Sequence, residues 1–142
     1  MRSTTVAVLC FALASAPARA AEFAVLARAQ ASKPISPAAL RNLFLGASRT
    51  WPDGRTVEVG LPAADTPEME WLASSIFHLP ARELRTMIRQ RVFAGEMPEP
   101  RTIASSEDCL AFARQSRGGL CVISEAAATS RAANVGLLTA TE

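Results

Sequence analysis

Between residues 55 and 61 apolar and polar side chains alternate, with Val57, Val59 and Leu61 at every second position, the period that lines one face of a half-buried strand. Just upstream the period is helical. Leu40, Leu43 and Phe44 share one face, Ser36-Pro37 supplies an N-cap followed by proline at the first helical position, and Gly46 stands where a C′ glycine belongs. Trp51-Pro52-Asp53-Gly54 between them reads as a tight turn. The stretch 36–61 is therefore expected to be a short helix, a reversal and a strand.

The same reading extends in both directions. Residues 23–28 (FAVLAR) form a short apolar run expected to be a buried strand, broken by 30–34. Downstream, Asp65-Thr66-Pro67-Glu68 combines a cap, a proline and an early acid, and opens a helix expected to place Met69, Leu72, Ser75 and Ile76 on one face. Leu79-Pro80 interrupts it. A helix over 81–93 follows, expected to bury Leu84, Met87, Ile88 and Val92 and to end at Gly95 before a proline-rich stretch. Ser105 and Asp108 cap a further segment carrying Leu110, Phe112 and Ala113, whose Arg114 and Arg117 suit the negative end of a helix. Gly118 or Gly119 ends it, residues 120–123 are an apolar strand, and 135–138 the last one.

The N-terminus changes how charge is counted. Arg2, the apolar run 6–14 and the small residues Ala18 and Ala20 have the order of a secretory signal peptide over residues 1–20, with cleavage after Ala20 and residues 21–142 as one domain. The apolar run is too short to span a membrane, and no later segment reaches that length. Leu9 precedes Cys10 where a lipoprotein signal requires a small residue, so Cys10 is expected to leave with the signal. Removing Arg2 and Arg19 from 15 basic residues leaves 13, equal to the 13 acidic ones. A neutral exported chain has no global field for nucleic acid or an anionic membrane. The expected location is the periplasm.

Four short motifs carry a resemblance: Arg41-Asn42-Leu43-Phe44-Leu45-Gly46, Trp51-Pro52-Asp53-Gly54 with its strand, Val92-Phe93-Ala94-Gly95 with Pro98, and Gly118-Gly119-Leu120 entering a strand. In this order and spacing the chain resembles, over residues 23–138, a short periplasmic-binding-protein-like family related to phosphate ABC-transporter substrate-binding proteins. The resemblance implies an α/β fold, a single lobe of the type II binding-protein kind with a mixed sheet and helices packed on its faces. It also implies that Trp51 covers the joint between helix and strand. Departures from the family pattern bear on function. Met69 stands where relatives carry an arginine, which removes an anion-pairing guanidinium. Met87-Ile88 replaces an aromatic pair, and Cys121 replaces a strand glycine.

Candidate chemistry is sparse. His78, the single histidine, lacks neighbours at metal-ligand spacing and is expected to be an exposed or capping residue. Arg82, Arg85 and Arg89, with Arg91 nearby, lie at helical spacing and form either an anion or partner patch or, more plainly, a solvated face. The helix starts at Ser36, Thr66 and Ser105 offer backbone N–H groups to an oxyanion; Glu68, Glu107 and Asp108 oppose an anion at the last two, which leaves Ser36 least obstructed. No phosphate loop, metal-spaced cluster or nucleophile elbow is present, so no enzymatic activity, cofactor or metal is expected.

Two cysteines, Cys109 and Cys121, remain after signal removal, in an oxidising compartment. Helix rise and strand rise bring them to similar heights, so they form a disulfide or, failing that, two separately buried thiols. The functional expectation is a non-enzymatic binding-protein-like domain, with phosphate or a related small oxyanion as the ligand implied by the resemblance. The rival is an exported scaffold that has lost ligand binding and recognises an envelope protein through its cleft face or its arginine stripe.

Overall fold

In the computed structural model, residues 23–27, 35–127 and 137–138 are described; the signal-peptide expectation, Cys10 and the break at 30–34 lie outside them. Strand β1 is Phe23–Ala27, α1 Pro37–Phe44, β2 Glu58–Pro62, α2 Pro67–Trp71, α3 Ala81–Phe93, β3 Arg101–Ile103, α4 Ser106–Gln115, β4 Gly119–Ser124 and β5 Leu137–Leu138. The strands form one mixed sheet in the order β3-β2-β4-β1-β5. β2 runs parallel to β3 and β4, while β1 is antiparallel to β4 and to β5.

Both sheet faces are covered, and the strand period divides the core between them. Val25, Ala27, Leu120 and Val122 face the cluster built by α1, α2 and α3, while Ala24, Leu26, Cys121 and Ile123 face α4. This is a single α/β lobe. Val57, Val59 and Leu61 all pack against the first cluster, as their alternation predicts. The strand itself starts at Glu58, because Thr56 makes only an isolated bridge to Thr50 and the Trp51 N–H closes the turn onto the Arg55 carbonyl at 2.8 Å.

Three elements differ from expectation. The helix begun by α2 widens over Leu72–Phe77 into a π-helical segment, which turns Ala73 and Phe77 inward with Leu72 and Ile76 and leaves Ser75 exposed. His78 ends it in the left-handed region at φ 55°, exposed, in the capping role expected of it. In α3, Leu84 and Ile88 are fully buried, whereas Met87 and Val92 are half-buried. Strand β3 is a third, unpredicted feature: three residues offer no readable period, and only pairing with Gly60, Leu61 and Pro62 makes them a strand.

The resemblance motifs meet one another at the end of the lobe where the parallel strands begin. The Trp51 indole N–H, in a side chain 3% exposed, donates to the Gly118 carbonyl at 2.9 Å, joining the turn before β2 to the loop before β4. A Cβ on Gly118 would stand 1.8 Å from the Thr56 carbonyl oxygen, so only glycine fits this approach. At Gly46 an added Cβ would stand 2.5 Å from Met97 Cβ, and φ is +72° as well. Trp51 thus covers the joint as the resemblance implies. The cysteines sit across the second face, joined as a disulfide with Cα atoms 5.8 Å apart.

Candidate functional site

The chain leaves β2 through α2 onto one face of the sheet and leaves the neighbouring β3 through α4 onto the other. Where adjacent parallel strands send their helices to opposite faces, the region outside their carboxyl ends, called the crevice below, is the usual ligand position in open α/β sheets. Here Thr66 begins α2, Ser105 begins α4, and β4 delivers Ser124 beside them.

One hydroxyl ties these ends together. Ser106 Oγ accepts from the Ser124 backbone N–H at 3.0 Å. Its own proton has two acceptors in reach, Ser124 Oγ at 3.3 Å and Glu68 Oε1 at 3.5 Å. Both are longer than the 2.7–2.8 Å typical of a hydroxyl donor. Sequence reasoning passed over Ser106 because it follows the cap Ser105, and its partners lie 18 and 38 residues away.

The residues singled out from the sequence fall in three places. Thr66 is at the crevice, but its hydroxyl donates to the Ala63 carbonyl at 2.7 Å and accepts from the Met69 N–H at 3.3 Å, so its proton is already committed. Ser36 caps α1 by accepting from Ala39 N–H at 3.2 Å; Ile35 and Ala39 there line a hollow with Thr50, Trp51 and Pro52, at the opposite end of the strands. Arg82 and Arg89 are exposed and Arg85 half-buried on α3. Met69 is fully buried among Leu72 and Ile76 rather than at the crevice, so an arginine there would enter the core.

Electrostatics at the crevice are one-sided. Among the described residues, the loops and first turns after β2, β3 and β4 carry Asp65, Glu68, Glu70, Glu107, Asp108 and Glu125 and no arginine or lysine. Asp65 adopts φ 60° just before the cap. No described group of three or more His, Cys, Asp or Glu is arranged to hold a metal ion, and no described helix is long and apolar enough to cross a membrane.

The lobe is similar in fold to the crystal structure of an ABC-type phosphate transport receptor from Vibrio cholerae, with a TM-score of 0.58 and 11% identity over 82% of this chain and 45% of the receptor. The chain therefore matches less than half of that receptor's length, and at this identity the likeness shows the fold. No family model and no curated protein matches the chain.

Proposed function

We propose that this chain is an exported, non-enzymatic binding-protein-like lobe that takes a protonated oxyanion of the phosphate class, weakly, in the crevice at the carboxyl ends of β2, β3 and β4. The observation that carries this reading is the Ser106 hydroxyl, held by Ser124 N–H with its proton lacking a close acceptor. A phosphate oxygen would accept that proton. Glu68 beside it is acceptor-only when ionised, so it rejects a bare anion and favours one that brings a proton of its own. Hydrogen phosphate does so at neutral pH and sulfate does not. With no arginine or lysine among the described residues of those loops and one lobe to enclose the ligand, the affinity is weaker than micromolar, about −8 kcal/mol.

Calorimetry on the exported chain with phosphate and sulfate tests this. Weak heat with phosphate, none with sulfate, and loss of the phosphate response in Ser106→Ala are expected. An equal response to both anions, or submicromolar binding, would overturn it.

A second reading, an interaction module for an envelope protein, is favoured by Phe93, which is 96% exposed at the end of α3. It stands beside a mostly apolar depression lined by Thr86, Arg89, Gln90 and Val92. On that reading neither anion would bind.

A further inference from the structure

The outer face of α3 carries charges opposite to those of the crevice. Arg82 and Arg89 are two helical turns apart, Phe93 follows Arg89 by four residues, and Arg85 flanks the row. The exposed Glu83 lies to one side. Arg91 belongs elsewhere: its Nε donates to the Leu45 carbonyl at 2.9 Å and its guanidinium pairs with Glu96 at 3.5 Å. Thr86, Arg89, Gln90, Val92 and Phe93 line a shallow, mostly apolar depression on this ridge.

Basic ridge and acidic crevice lie on the same chain, so each surface has a complement of opposite charge on a second copy. We propose that a second copy docks its α3 ridge over the crevice and adds a guanidinium to the oxyanion held there. This rests on the oxyanion reading of the preceding subsection. Arginine suits the role because its planar fork pairs with phosphate through two parallel N–H bonds, and it also pairs with the carboxylates around the crevice. Phe93 anchors the contact by leaving water. Bound phosphate then stabilises the association, and by linkage association strengthens phosphate binding equally. The contact joins two different patches, so it closes into a pair only if both copies exchange ridges.

Sedimentation velocity of the exported chain, in chloride and in millimolar inorganic phosphate at matched ionic strength, reads this coupling. Phosphate is expected to tighten association by about tenfold. Phe93→Ser and Arg89→Glu, both at exposed positions, are expected to remove the phosphate-dependent association while preserving the circular dichroism spectrum and the weak phosphate heat of dilute, monomeric protein. Mixed Arg89→Glu and Ser106→Ala proteins are expected to recover the phosphate-dependent association that neither shows alone, since the mixed pair retains one intact ridge facing one intact crevice. Phosphate heat from unsubstituted protein that stays monomeric at every concentration tested in millimolar phosphate would overturn the docking and leave the oxyanion reading standing. Absence of phosphate heat at every protein concentration would remove both. Association indifferent to phosphate and to the ridge substitutions would also refute the docking.

Discussion

Reducing the Cys109–Cys121 bridge isolates the stabilisation that comes from closing a short chain segment. The cysteines are 12 residues apart and join the buried side of α4 to β4, and both are fully buried. On the chain-entropy estimate a loop of this length contributes about 3 kcal/mol. That is a large share of a stability of roughly 5–15 kcal/mol for a typical domain. In urea, with a slope of about 2 kcal/mol/M, the midpoint of the reduced protein should fall by roughly 1.5 M. Its melting temperature should drop by about 10 °C or more. The double variant Cys109→Ala/Cys121→Ala loses the cross-link and the buried sulfur atoms, adding about 1 kcal/mol per site. Reduction and substitution should therefore differ measurably. Thiol titration of the denatured, unreduced exported chain is expected to find no free thiol. Two free thiols there, or a reduced protein with an unchanged urea midpoint, would refute the reasoning.

Met69→Arg should fail to create an anion site, because it places a guanidinium in the core without a partner. A loss of about 3–5 kcal/mol in urea denaturation, with no gain in phosphate heat, is expected. Gly118→Ala drives a methyl into the Thr56 carbonyl and should cost at least about 3 kcal/mol. Gly54→Ala, with φ +88° and open space around it, should cost only about 1–2 kcal/mol, and equal losses at the two glycines would show the crowding at Gly118 to be relieved. Mass spectrometry of the exported protein should give Ala21 as its first residue; a retained Met1 or a lipid on Cys10 would contradict the signal-peptide reading.

The elements legible from the sequence are those whose causes are local. Ser36, Thr66 and Ser105 each cap the helix they were expected to cap, since a hydroxyl three residues before an N–H needs nothing from the rest of the chain. Gly46 and Gly95 end their helices at positive φ for the same reason. The disulfide was legible too, because with Cys10 assigned to the expected signal peptide Cys109 and Cys121 leave one pairing, and the helix and strand rises make it reachable. Where an expectation failed, a non-local term had prevailed. Ser75 faces water because a π-helical segment shifted the buried stripe, and Arg101–Ile103 are a strand only because β2 lies beside them.

Function divides along the same line. The motifs that carry the family resemblance lock together around Trp51, Gly118, Gly46 and Met97, where the parallel strands begin, so what they encode is the frame of the lobe. The crevice lies at the other end of those strands and contains none of those motifs. From the sequence Ser36, Thr66 and Ser105 were all helix starts, with Ser36 the least obstructed by acids. The fold set Ser36 apart at the far end, committed the Thr66 proton to Ala63, and brought Ser106 to Glu68 and Ser124 across gaps of 38 and 18 residues. Capping and periodicity are properties of neighbours in the chain and can be read one turn at a time. A candidate site placed where three strands end depends on the order in which those strands pair, and here strand pairing brings its residues together.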